Sequence, residues 1–190
     1  MSVKVRAATV SDGHAVGALH AASWRYAYRG ALSDKYLLGE DVDLDRMHLW
    51  RTRLAEPAER QHLLLAEDVD RLLGFVCFYG GESEEWGSYL NNIHVAQTAQ
   101  GLGIGRLLLH STAELCGTAY PGGLYLWVLQ SNTRAQGFYT RYGGRNSGTG
   151  AWEAPGGTVA PVFRFSWADV DQLREATADP SFPRTAFGGR

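Results

Sequence analysis

The stretch Asn91-Asn92-Ile93-His94-Val95-Ala96-Gln97-Thr98-Ala99-Gln100-Gly101-Leu102-Gly103-Ile104-Gly105-Arg106 runs from a strand pattern through a glycine loop into the apolar helix that opens with Leu107-Leu108-Leu109. The first turn of such a helix carries amides without intrahelical partners and the positive end of the helix dipole. Gly103 and Gly105 lack a Cβ, so a bulky anion can approach the backbone, and Arg106 adds a positive charge. The arrangement predicts a cradle for linked phosphates. It is not a P-loop, because no Lys-Ser/Thr pair follows. It is not GxGxxG either, because Arg106 stands where the third glycine would be.

Working outward, Val3, Val5 and Ala7 alternate with Lys4 and Arg6 as a first strand. Thr9 to Asp12 has the form of a capping box, so a helix is expected from near Val10 and broken at Gly30. Ser33-Asp34 restarts helical structure, which continues through Asp45 to Leu54 and stops before Pro57. His62 to Ala66 and Leu72 to Tyr79 read as a hairpin, Gly80 to Glu85 as a polar loop, and Trp86 to Val95 as a long strand. After the helix from about Gly103 to Cys116 come a buried strand, Leu124 to Leu129, and a helix, Asn132 to Tyr142. Ala151 to Glu153 and Val159 to Trp167 read as a last hairpin around Pro155-Gly156-Gly157, and Ala168 to Ala176 as a short helix. Antiparallel pairs with one βαβ unit make an α/β protein of mixed α+β sheet type, with helices on both faces. No repeat or linker divides the chain, so residues 1–178 are expected to form one domain and residues 179–190 a loose tail.

Gln100, Gly103 and Gly105 form the pattern Q-x-x-G-x-G. Downstream, Trp127 to Leu129 ends in a polar segment containing Asn132, and the next helix carries Ala135, Phe138 and Tyr139 before a turn at Gly143. With these two motifs the chain resembles the GNAT superfamily, the Gcn5-related N-acetyltransferases, over Val3 to Trp167. The resemblance implies a central, mostly antiparallel twisted sheet of about seven strands, splayed between the fourth and fifth. It implies acetyl-CoA as co-substrate and direct attack by a primary amine of a small molecule or protein. Gln97 stands where the family often has Pro.

Acetyl transfer needs a polarised carbonyl, a deprotonated amine and a proton for the departing thiolate. By resemblance, unpaired backbone at Ile93, His94 and Val95 holds the pantetheine arm, with the Val95 N–H as oxyanion donor. Gln100, Gly101, Gly103, Ile104, Gly105 and Arg106 hold the pyrophosphate, and Asn132 bonds the arm or caps its helix. Tyr139 is the candidate acid, a phenol able to protonate a thiolate. For the base, His94 has a suitable intrinsic pKa but alternates to the face opposite Ile93 and Val95. Asn91 and Tyr89 are expected on the face of Ile93 and Val95, holding a relay water, and Glu84 and Glu85 reach the site only if their loop folds inward. No Cys or Ser lies in a nucleophile–base pattern. Trp24, Tyr28 and Trp152 are candidates for an acceptor pocket, and the acidic group Glu40, Asp41, Asp43 and Asp45 for attracting a cation. The alternative is a CoA-binding sensor or interaction module with a degenerate centre.

The bulk numbers agree with an ordinary domain. The chain has 190 residues, 45% hydrophobic and 20% charged, with net charge −2. Nothing in that balance suggests nucleic acid or an anionic membrane as partner. Cys77 and Cys116 form no CxxC, and none of the six histidines falls in a metal-ligand pattern, so no metal is expected. With no signal peptide and no long apolar span, a reducing cytoplasmic location is the default. A homodimer through the last hairpin and tail is left open.

Overall fold

In the computed structural model, which describes residues 3–69, 71–155 and 157–181, the alternating start of the chain forms β1 (Val3–Ala7). A 3-10 turn at Val10–Asp12 follows, with the Asp12 carboxylate accepting the Thr9 N–H at 2.7 Å, and leads into α1 (Gly13–Ala27). Two further helices, α2 (Asp34–Leu38) and α3 (Asp41–Ala55), precede a meander of β2 (Gln61–Asp68), β3 (Arg71–Ser83) and β4 (Gly87–Val95). The chain then alternates through α4 (Ile104–Ala119), β5 (Leu124–Leu129) and α5 (Thr133–Arg141). It closes with β6 (Arg145–Glu153), β7 (Val159–Trp167) and α6 (Val170–Thr177).

The seven strands form one sheet in the order β1-β2-β3-β4-β5-β7-β6. Every neighbouring pair is antiparallel except β4 and β5, which are parallel. Strand parity divides the core in two. Leu63, Leu65, Phe75 and Cys77 pack with Val16 of α1 and Trp50 of α3. The alternate residues Leu64, Ala66, Val76 and Phe78 join Ile104, Leu108 and Cys116 of α4 and Leu173 of α6 on the other face. Because β2 and β3 are covered on both sides, they read as continuous apolar runs rather than alternating ones.

One expected loop is largely strand, and one strand begins earlier than expected. Gly80 to Glu85 was to be a loop, yet β3 continues to Ser83 and leaves only a tight connection before Gly87. At Gly80 the Tyr120 ring occupies the space of a side chain, 2.2 Å from where a Cβ would stand. Likewise β6 begins at Arg145, well before Ala151. Its glycines lie under large neighbours: a Cβ would stand 3.0 Å from the Arg164 guanidinium at Gly148 and 3.0 Å from the Trp127 ring at Gly150. Glycine in these strands marks a close approach, not a turn. Of the expected loose tail, residues 182–190 lie outside the described residues, as do Asp70 and Gly156 in two expected turns. Asp179 is held by Arg106 at 2.9 Å. Among the described residues no helix is long and apolar enough to cross a membrane.

Candidate active site

β4 and β5 pair only at Ser88↔Leu124 and Tyr89↔Tyr125. Beyond that point they part. The Ala96 N–H donates to Leu73 O at 2.8 Å. Antiparallel pairs alternate in their bonding, so His94 bonds back to β3 while the peptide groups of Ile93 and Val95 face the gap. From the other lip, Gln130 N–H donates to Pro161 O at 3.0 Å, and the same alternation turns the Trp127 peptide toward the gap. Backbone polar groups within a sheet are normally paired, so a lined opening of this kind is suited to an extended ligand with its own amides.

At one end of the gap α4 begins. Gly103 takes φ 81°, a left-handed conformation that glycine adopts without strain, and caps the helix with no side chain. Leu107 N–H is bonded to Gly103 O at 2.9 Å, and the amides of Ile104 and Gly105 ahead of it point forward without intrahelical acceptors. A Cβ on Gly105 would lie 3.4 Å from the Phe138 ring and 3.7 Å from Val95. The cradle and the gap are continuous in a cavity of 810 Å³, lined also by Gln100, Gly101, Asn132 and Tyr139. An anion at the helix end and a slender amide-bearing arm along Ile93 and Val95 both fit this shape. The Arg106 side chain is placed differently from expectation. Its guanidinium bonds Thr177 O at 2.9 Å, Ala178 O and the Asp179 carboxylate at the end of α6.

The candidate base residues sort by face. The pairing register slips between Cys77 and Phe78, where Asn92 and Leu90 are successive partners, so Asn91 is the extra residue of a β-bulge. A bulge reverses strand parity. Asn91 and Tyr89 therefore do not share the face of Ile93 and Val95, which pack toward α4. They lie instead on the face of His94, where Arg53 of α3 donates to Asn91 Oδ1 at 2.9 Å and Asn92 Oδ1 at 3.4 Å. The Asn91 amide in turn donates to Tyr89 Oη at 3.3 Å. Glu84 and Glu85 sit in the β3–β4 connection, at the far end of β4 from Val95. Of the three acceptor-pocket candidates, Tyr28 lines the cavity, while Trp24 packs behind it between Tyr28 at 5.3 Å and Trp152 at 5.7 Å. In the acidic group Asp43 is paired with Arg25, and Asp45 accepts from Tyr36 Oη at 2.8 Å.

His94 is 9% exposed, ring to ring with His20 at 4.5 Å and Phe75 at 5.3 Å. Burial, reinforced by the nearby Arg46 cation, pushes its pKa down to about 3. It is neutral near pH 7, and its low affinity for protons makes it a poor general base there. An NMR titration of the folded protein is expected to show the His94 ring signals flat from about pH 8 to about pH 5, where a free imidazole titrates. Burial also drives the His20 pKa down. Unfolded imidazoles take up protons below about pH 6.5 that these two refuse, so both make stability fall as pH drops through that value. Tyr139, 7% exposed on α5, packs against Phe165 and Trp167, each at 6.0 Å. Burial, then the neighbouring Tyr28 phenol, raises its pKa far above the ordinary tyrosine value. Burial likewise lifts Tyr28 to about 12. Asn132 caps α5, its Oδ1 accepting Ala135 N–H at 3.1 Å.

One serine contact was not expected. Ser23 Oγ of α1 lies 2.8 Å from His94 Nδ1, 71 residues away in sequence, and lines the cavity. Nothing local in Ser23-Trp24 signals this pairing. Arg53 was also missed. The bulge did leave a trace: adjacent Asn91 and Asn92, both disfavoured in strands, interrupt the alternation.

Split sheet, helix-end cradle and buried tyrosine together define a protein built like the coenzyme A-dependent acyltransferases. The model of the Acetyltransferase (GNAT) family matches residues 13–144, and the chain belongs to that family. The Mycobacterium tuberculosis protein called Probable N-acetyltransferase Rv2775 is 26% identical over 144 residues, 74% of this chain and 78% of that one. Two solved structures share the fold. The PaiA N-acetyltransferase of Thermoplasma acidophilum, in complex with coenzyme A, has a TM-score of 0.66 and 16% identity, covering 88% of this chain and 99% of that one. A GCN5-related N-acetyltransferase of Rhodopseudomonas palustris has a TM-score of 0.71 and 16% identity, covering 88% and 96%.

Proposed function

We propose that this protein transfers an acetyl group from acetyl-CoA to a primary amine by direct attack. The observation that carries this is the gap between β4 and β5, edged by unpaired peptides of Ile93 and Val95 and ended by the open first turn of α4. The Ile104 and Gly105 amides would hold the pyrophosphate, and the Ile93 and Val95 peptides the pantetheine arm. When bound, the coenzyme supplies the acetyl group as a reactive thioester. The Val95 N–H faces the gap, where it would stabilise the negative charge that develops on the carbonyl oxygen. Tyr139 keeps its proton at neutral pH and would donate it to the departing thiolate as the C–S bond breaks, and the proton shed by the attacking nitrogen would return through water to the phenol. His94, neutral and buried, does not serve as the base.

Two measurements test this. Calorimetry with free coenzyme A is expected to give one binding site per chain. With acetyl-CoA and a panel of tryptamine, spermidine, L-lysine and a tripeptide with a free N-terminus, free thiol is expected to accumulate with at least one amine and to match acetylated product. Binding without thiol release on any amine would favour the degenerate module. No binding would end the proposal.

A further inference from the structure

We propose that Ser23, its hydroxyl fixed by His94, is the residue that receives the incoming amine. The inference rests on the acetyltransferase reading and names the acceptor end of that site. The α4 and α5 side of the gap takes the coenzyme, so an amine must arrive from the face of α1 and α3. On that face Ser23 lines the cavity with Tyr28, Asn91, Asn92 and His94.

An uncharged amine brings N–H groups that need acceptors as it leaves water. Among the described residues lining the cavity there is no carboxylate. Of the side-chain carbonyls on this lining, Asn91 Oδ1 and Asn92 Oδ1 accept from Arg53 and Asn132 Oδ1 accepts from the Ala135 amide, while Gln100 stands at the α4 end with the cradle. Tyr26 Oη receives Arg134 at 3.3 Å. Ser23 Oγ remains. A hydroxyl has one proton and two lone pairs, so with either tautomer of His94 one lone pair stays available for an amine N–H. An N–H bound to Ser23 Oγ would orient the nitrogen lone pair toward the gap.

The pair does not act as a nucleophile and its base. The titratable and charged groups facing His94 are His20 from α1 and Arg46 from α3, with Arg53 beyond them. None is a carboxylate that would steady an imidazolium. His94 is thus a positioning residue, and Ser23 keeps its proton.

The test uses the fastest of the four amines named above, with tryptamine as the binding probe. Ser23→Ala is expected to lower kcat/KM for the amine about tenfold or more, the loss of one well-placed hydrogen bond, with KM for acetyl-CoA and calorimetric affinity for coenzyme A unchanged. Ser23→Thr, which keeps the hydroxyl, is expected to recover most of the loss. Tryptamine added to the coenzyme A complex is expected to shift the His94 ring signals in the wild type and not in Ser23→Ala. Wild-type kcat/KM in Ser23→Ala, equal impairment of the Ala and Thr variants, or an acetyl group found on Ser23 by mass spectrometry would each overturn the proposal. A wild type that binds coenzyme A but acetylates none of the amines would sink the enzymatic function instead. The His94 signals would then still show whether tryptamine docks at Ser23.

Discussion

Tyr139→Phe is expected to lower kcat by about a hundredfold, at the lower end of what a positioned acid contributes, with coenzyme A affinity unchanged. The substitution removes one oxygen and leaves the ring packed against Phe165 and Trp167, so the fold should not respond. Departure of a thiolate is the step that needs a proton. In the buried setting of Tyr139 the phenol holds its own well beyond neutrality. The wild-type pH–rate profile should therefore show no alkaline fall from this group until far above pH 7, and Tyr139→Phe should depress the whole profile without changing its shape. Stopped-flow measurement of thiol release reads the step directly. Wild-type turnover at every pH would exclude Tyr139 from the reaction.

Gly105→Val is expected to weaken coenzyme A binding by more than about a hundredfold. A Cβ at this position meets only ordinary contact distances, 3.4 Å to Phe138 and 3.7 Å to Val95. The added methyls must then either press on those side chains, at a cost of about 1–3 kcal/mol, or project over the amides that form the cradle. Gly105→Ala should keep the fold and lose only part of the affinity. Gly137→Ala is the control, because nothing lies within 4 Å of a Cβ there, on the exposed side of α5. Calorimetry alongside thermal melting separates the two effects. Undiminished binding by a folded Gly105→Val protein would mean that the helix end does not grip the phosphates.

The cradle was legible because its determinants are local. Gly103, Gly105 and the apolar run behind them specify a left-handed cap and an open first turn within a few residues. For the same reason β5 was read residue for residue at Leu124–Leu129, and Asn132 at the head of α5. The face opposite α4 was not legible. One extra residue at Asn91 inverts the assignments of Asn91 and Tyr89, which were made by counting alternately back from Val95, and the register slip itself is seen against Cys77 and Phe78 of β3. The Ser23–His94 contact and the Arg53 bonds to both asparagines depend on how α1 and α3 lie across the sheet, which no periodicity within either helix encodes. The last hairpin was expected only from Ala151 because the Arg164 and Trp127 side chains that cover Gly148 and Gly150 come from other strands.

The parting of β4 and β5 after only two residue pairs has a consequence for traffic through the molecule. A gap in the middle of a sheet is a passage open to both sides. With the coenzyme proposed beside α4 and the acceptor beside α1, neither would have to vacate the protein for the other to arrive. On the proposed reading donor and acceptor would be resident together, meeting edge-on through the sheet, with no need to store the acyl group on the polypeptide between visits.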